Sequence, residues 1–67
     1  MVTLEIFENG RLASESSFAT VGEACSFFRR ISGFCESSDL ILQILQDFGR
    51  VSTEHNGYVG IFTGSPE

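Results

Sequence analysis

Two Asn-Gly dipeptides, at residues 9–10 and 56–57, constrain the fold of this chain more than any other feature. Asn-Gly suits a tight turn between antiparallel strands, because both positions tolerate a positive φ angle. Each dipeptide lies between segments in which apolar and polar residues alternate, which is typical of half-buried strands. These segments are 2–8, 11–18, 51–54 and 58–63. The chain is therefore predicted to begin and end with a β-hairpin.

The length of the first loop decides which side chains share a face of the sheet. A two-residue loop would pair Phe7 with Leu12 and bring Glu15 onto the apolar face. A three-residue loop over 8–10, with a left-handed glycine and a bulge, would pair Ile6 with Leu12 instead. We favour the three-residue loop, because it gathers the apolar side chains of both strands on one face. The side chains on the opposite face are then Glu5, Phe7, Arg11 and Glu15.

The second hairpin is interpreted in the same way. A three-residue loop over 55–57 pairs Val51 with Ile61 and Thr53 with Val59, so that the inner face is again apolar. The outer face is then predicted to carry Arg50, Ser52, Glu54, Tyr58, Gly60 and Phe62.

A capped helix is predicted over residues 21–32. Thr20 and Glu23 have the spacing of a capping box, in which the two side chains satisfy free amides at the start of a helix. Apolar residues follow at helical spacing, Arg29 and Arg30 fall in the last turn, and Gly33 is placed as a left-handed stop.

A second helix is predicted over residues 39–48, with Ser38 as its N-cap and Gly49 just past its end. A strand is the alternative, but it would expose alternate leucines and isoleucines, so the helix is favoured. Its predicted apolar stripe consists of positions 40, 41, 44, 45 and 48.

These elements predict an α+β fold in the order ββααββ. We expect a single small domain over residues 1–67, in which two helices pack on one face of an antiparallel four-stranded sheet. Residues 64–67 are predicted to form a frayed tail. The strand order does not follow from the sequence.

Charge and hydropathy narrow the classes of partner. The chain has nine acidic residues, four arginines and no lysine, for a net charge of −5. Binding to a phosphate backbone draws its affinity from clustered cations, so direct nucleic-acid binding is not expected. No apolar run approaches the roughly 20 residues that a membrane span requires, and no basic secretory start is present. We therefore expect a cytoplasmic protein without a membrane partner.

Residue types that carry chemistry are sparse. Cys25 lies on the apolar stripe of the first helix and is predicted to pack as a small hydrophobe, whereas Cys35 follows the helix and is expected to be partly exposed. The spacing leaves open whether the two cysteines are bonded. With His55 as the one histidine, they match no metal-ligand pattern, and the glycines of 57–64 lack the pattern of a phosphate-binding loop. We expect no catalytic residue, metal, cofactor or small-molecule substrate.

The remaining feature is the predicted outer face of the sheet, where aromatic rings lie among charged residues. Aromatic and arginine side chains are enriched at the centres of protein interfaces. We interpret the chain as a small acidic non-catalytic module that docks on a larger protein and modulates or inhibits it. Its size and charge suit, by analogy alone, a phage-type inhibitor of a bacterial nucleic-acid-binding machine. The alternative is self-association, as a structural subunit of a homo-oligomer or larger assembly. The candidate contact residues are Phe7, Tyr58, Phe62, Glu5, Glu54, Arg11, Arg29 and Arg30.

Overall fold

A computed structural model describes residues 1–64 and confirms the predicted α+β fold in the order ββααββ. The predicted tail beyond residue 64 lies outside the described residues, and Gly64 itself is the last residue of a strand. The elements are β1 (Val2–Glu8), β2 (Arg11–Phe18), α1 (Val21–Ser32), α2 (Ser38–Phe48), β3 (Arg50–His55) and β4 (Tyr58–Gly64).

The four strands form one antiparallel sheet in the order β2-β1-β4-β3. The first and last strands of the chain are therefore the central pair, and they pair along their whole length, from Val2 opposite Gly64 to Glu8 opposite Tyr58. Both Asn-Gly turns consequently lie at the same end of the sheet. The edge strands are β2 and β3.

Both Asn-Gly dipeptides form two-residue turns, and the predicted three-residue loops are wrong. The φ angles are 53° and 79° at residues 9–10, and 52° and 83° at residues 56–57. Two positive φ angles are what a type I′ turn requires, and the twist of this turn matches that of the flanking strands. The residues on either side of each dipeptide pair directly with one another.

A β-bulge adjusts the register of the first hairpin. Phe7 pairs with Leu12, but the next residue of β1, Ile6, pairs with Ser14, so that Ala13 is an extra residue in β2. Beyond the bulge, Glu15 lies opposite Glu5 on the outer side of the sheet. The bulge therefore keeps this carboxylate out of the core in spite of the short loop.

The second hairpin has no bulge, and this reverses the predicted faces of β4. Val51 pairs with Phe62, and Ser52 pairs with Ile61. Phe62 is consequently 0% exposed, so its predicted place on the outer face is wrong. Because side chains alternate along a strand, Val59 and Ile61 take the outer positions instead.

The core lies between the inner face of the sheet and the two helices. Phe28 of α1 lies over Gly60, where a Cβ atom would come within 2.7 Å of the phenyl ring. Gly60 therefore lies on the inner face, so its predicted place on the outer face is wrong, and the missing side chain gives the ring room to approach the strand. The rings of Phe28 and Phe62 meet edge to face, with centroids 6.3 Å apart. The buried apolar residues are Val2, Leu4, Ile6, Val21, Ala24, Cys25, Phe28, Ile41, Leu45, Val51 and Phe62.

The first helix has the predicted bounds and caps. The Thr20 hydroxyl accepts a hydrogen bond from the Glu23 backbone amide at 3.2 Å. At the other end, Gly33 has a φ angle of 91°, and its amide donates to the Arg29 carbonyl at 2.8 Å. This helix packs on β1 and β2.

The second segment is a helix, as predicted, but it starts one residue earlier and uses Ser37 as its N-cap. Only Ile41 and Leu45 of the predicted stripe are buried, whereas Leu40 is 46% and Phe48 is 80% exposed. The helix packs on β3 and β4 with a narrow apolar strip, so the predicted stripe was too wide. Neither helix of residues 1–64 has the length and hydropathy of a membrane span.

Candidate functional site

The side of the sheet that faces away from the helices is an open surface, here called the outer face. Strand pairing arranges its side chains in three rows across β2, β1, β4 and β3, in that order. The row nearest the turns is Leu12, Phe7, Val59 and Glu54; the middle row is Glu15, Glu5, Ile61 and Ser52; the far row is Ser17, Thr3, Thr63 and Arg50.

An apolar cluster occupies the centre of the outer face. It consists of Phe7, Leu12, Val59 and Ile61. Phe7 lies directly between Leu12 and Val59, and Ile61 is the next outward residue along β4. Cross-strand neighbours have Cβ atoms only about 5 Å apart, so these four side chains are contiguous. Leu12 is 52% exposed, and the other three are half-buried. A contiguous exposed apolar patch is typical of an interaction surface.

Carboxylates dominate the charge of the outer face. Among the residues that the structure describes, Glu5, Glu15 and Glu54 share this face with a single cation, Arg50. Glu5 and Glu15 are directly opposite on neighbouring strands, an arrangement in which two like charges repel. Within residues 1–64, neither of these two carboxylates has an ion-pair partner. The face therefore combines an apolar centre with uncompensated negative charge.

The structure brings together only some of the predicted contact residues. Phe7, Glu5 and Glu54 lie on the outer face, as predicted. Tyr58 and Arg11 lie in a row on the helix side of the sheet, so their predicted outer positions are wrong.

Phe62 lies in the core and cannot contact a partner. Arg29 and Arg30 are exposed in the last turn of α1, which covers the inner face, so they cannot share a flat interface with the outer face.

The sequence analysis did not predict that three members of the apolar cluster lie on the outer face, namely Leu12, Val59 and Ile61. The signal that could have found the last two is the Asn56-Gly57 dipeptide itself, because a two-residue turn at this position places both of them outward.

On the side of the sheet that the helices cover, the end nearest the two turns is held in place by local packing and hydrogen bonds. The ring of Phe34 packs on the imidazole of His55, with centroids 5.1 Å apart. The Asn56 side-chain amide donates to the Ser32 carbonyl at 2.7 Å, which ties the second turn to the end of α1. The Ser32 hydroxyl, which has one hydrogen to donate, lies 2.8 Å from the Phe28 carbonyl oxygen and 2.7 Å from the Phe34 carbonyl oxygen. His55 thus belongs to a structural junction between α1 and the second hairpin.

The two cysteines are free thiols. Burial raises the pKa of Cys25 to about 12, with a smaller contribution from the neighbouring Cys35. Burial also raises the pKa of Cys35, against the opposing effects of a hydrogen bond from Cys25 and the charge of Arg29. Both groups are therefore protonated at neutral pH and are poor nucleophiles.

An open depression of about 640 Å³ lies between the end of β2 and the first turns of α1. Its lining includes Ser26 and the rings of Phe18 and Phe27, whose centroids are 5.4 Å apart. His55 adjoins the opposite end of α1, so no imidazole stands beside Ser26 to activate it. Residues 1–64 contain no group of three potential metal ligands.

Comparison with known proteins finds no matching family model, no matching curated protein and no matching solved structure. The outer face is therefore identified as the candidate site from its own residues: a contiguous apolar cluster, partly exposed and bordered by acids.

Proposed function

We propose that this protein is a small acidic non-catalytic module that docks on a larger protein through its outer face and modulates or inhibits that protein. The apolar cluster of Phe7, Leu12, Val59 and Ile61 is the observation that carries the proposal. The buried core lies between the inner face and the helices, and these four side chains are not part of it. A contact surface accounts for their apolar character.

The acidic character of the chain supports a particular kind of target. Three carboxylates border the apolar cluster, and the net charge is −5. A surface that binds nucleic acid is basic, and an acidic protein of this size can occupy it and exclude the nucleic acid. A cytoplasmic inhibitor of a nucleic-acid-binding machine, of the kind that phages use against bacteria, has this character by analogy.

Capture from an extract of the source cells tests the docking surface. The test variant is Val59→Thr with Ile61→Thr, which keeps β-branched side chains in β4 and makes the cluster polar. The control is Leu40→Gln on α2, which removes an exposed apolar side chain from the helix side. Thermal unfolding by circular dichroism establishes that both variants fold.

We expect one protein to be recovered by the wild type and the control, and at least about tenfold less of it by the double variant, because a polar cluster forfeits most of the apolar contact. Equal recovery by all three proteins would show that the outer face is not the docking surface.

A second candidate function, as a structural subunit of a homo-oligomer, is favoured by α2. Leu40 and Phe48 are exposed on one side of this helix, and Ile44 lies between them at the same spacing of four residues. Such a ridge can pack against a second copy of the helix. Light scattering over a concentration series separates the candidates, since a docking module remains a monomer and a structural subunit forms a stable oligomer that Phe48→Gln dissociates.

A further inference from the structure

The layout of charge on the outer face specifies what a partner must present. Glu15, Glu5 and Ile61 are consecutive in the middle row, so that two carboxylates lie beside the apolar cluster. A flat apolar partner surface placed here would remove water from both carboxylates without replacing their hydrogen bonds. Desolvation of an unpaired charge carries a large penalty, which opposes the gain from the apolar contact.

A cation on the partner resolves this conflict. It would pair with Glu5 and Glu15 at once, and it would also remove the repulsion between them that exists in the free protein. A guanidinium group is suited to the position, because its planar fork of donors can bond to two carboxylates while its flat face lies on apolar side chains.

A second copy of the chain does not meet the requirement. In aligned face-to-face packing, a two-fold axis across the strands sets Glu5 on Glu5 and Glu15 on Glu15, because the middle row is opposite itself. A two-fold axis along the strands sets Ile61 over Glu5 and leaves that carboxylate unpaired. Both arrangements bury acid without a cation.

Resting on the proposed function, we propose that the outer face recognises a basic protein surface, in which an arginine pairs with Glu5 and Glu15 while a neighbouring apolar side chain contacts Phe7, Val59 and Ile61. The partner is thus defined by a cation and an apolar group side by side. Glu54 and Arg50 lie on the edge strand β3 and add electrostatic orientation at the rim of the interface.

Peptides selected from a random displayed library serve as the probe. The library is selected on immobilised wild-type protein, and binders that also bind the Val59→Thr, Ile61→Thr variant are removed. The dissociation constants of the remaining peptides are then measured by fluorescence polarisation, with each arginine replaced in turn by the neutral analogue citrulline.

Two double variants separate local pairing from net charge. Glu5→Gln with Glu15→Gln removes the proposed pair, and Glu8→Gln with Glu36→Gln removes the same charge from positions outside the outer face. We expect selected peptides to combine arginine with an apolar residue. Binding should weaken at least about tenfold on loss of Glu5 and Glu15 or of one arginine, and less than about threefold in the control. The dependence of affinity on salt should also flatten in the Glu5, Glu15 variant alone.

The outcomes distinguish the two proposals. Selected peptides could bind only when Val59 and Ile61 are present and yet carry no cation, or keep their affinity when Glu5 and Glu15 are replaced. Either result would overturn the inferred chemistry and leave the docking surface intact. Two other results would overturn both proposals. One is a selection that yields no peptide whose binding depends on Val59 and Ile61. The other is a stable dimer of the protein that Ile61→Thr dissociates.

Discussion

The two hairpins have the same type of turn, but their strands pair differently beyond it. Each has an Asn-Gly pair with two positive φ angles and a direct pair of flanking residues. The first hairpin then inserts Ala13 as a bulge, whereas the second continues without interruption. Without the bulge, Glu15 would point at the helices; in the second hairpin the uninterrupted register buries Val51 and Phe62. A turn thus sets the pairing beside the loop, and burial decides it a few residues further on.

The edge strands of the two hairpins contribute unequally to the core. The edge strand of the second hairpin, β3, supplies Val51, which is buried. The edge strand of the first hairpin, β2, supplies serines and one half-buried ring, Phe18, to the inner face. Stability should accordingly be more sensitive to a change of register in β3 than to one in β2.

Neighbouring residues of β4 on opposite faces offer the largest contrast. We expect Phe62→Ala to lower the free energy of unfolding by about 3–5 kcal/mol, because it removes a fully buried ring that packs edge to face on Phe28. Ile61→Ala, on the outer face, should lower it by about 1 kcal/mol, since its side chain keeps contact with water. Urea unfolding measures both values, and equal losses would contradict the assignment of faces.

Single-residue deletions test the two edge strands. Deletion of Ala13 removes only the extra residue of the bulge, so the remaining pairs of β1 and β2 are kept and stability should change by about 1 kcal/mol or less. Deletion of Glu54 shifts the rest of β3 by one position and turns Val51 outward. That loss of burial should cost about 3 kcal/mol. Comparable losses from both deletions in thermal or urea unfolding would show that Ala13 is not an extra residue.

The contact between Gly60 and Phe28 should make one methyl group costly. Gly60→Ala places a Cβ atom 2.7 Å from the Phe28 ring, which is itself buried, so we expect a loss of about 2 kcal/mol from displaced packing. Gly22→Ala is the matched control, because Gly22 lies in α1, where a Cβ atom would be at an ordinary 3.9 Å from the Thr20 hydroxyl oxygen, and alanine favours a helix. The control should gain about 0.5–1 kcal/mol. A neutral effect of Gly60→Ala in urea unfolding would refute the close packing of this ring.

Most of the fold followed from local signals in the sequence. The capping box of Thr20 and the stop at Gly33 gave correct bounds for α1, because both act on adjacent backbone groups. The strand order did not follow, since the pairing of β1 with β4 joins the two ends of the chain and leaves no local pattern. The predicted apolar stripe wrongly included Leu40 and Phe48 for a related reason. Helical periodicity predicts which side of a helix is apolar, whereas the width of the sheet decides how many of those side chains are covered.

The candidate site depended on register, and register was the weakest part of the prediction. Phe7 and Glu5 were placed correctly because they lie on a central strand whose alternation has no ambiguity. Phe62 and Ile61 were exchanged because both are apolar, so a shift of one residue preserves an apolar inner face. The two-residue turn at Asn56-Gly57 favours the observed register, and the room that Gly60 provides for Phe28 supports it through a contact between distant parts of the chain.

The two asparagines provide the smallest and most direct comparison of the hairpins. Asn9 and Asn56 have nearly the same φ angle, 53° and 52°, so Asn→Ala should lose the same turn preference at each. Asn56 additionally donates to the Ser32 carbonyl at 2.7 Å, at the end of α1 where carbonyl groups lack helical partners. Asn56→Ala should therefore destabilise the protein by about 1 kcal/mol more than Asn9→Ala.

Aspartate separates the turn from the hydrogen bond, because Asp-Gly also forms a type I′ turn but its carboxylate cannot donate to a carbonyl. Asn9→Asp should leave the free energy of unfolding nearly unchanged in urea titrations, whereas Asn56→Asp should lose at least as much as the difference between the two alanine variants. If the two aspartate variants are equally stable, the bond from Asn56 to Ser32 contributes nothing, and the second hairpin is held to α1 by the Phe34–His55 contact and the core alone.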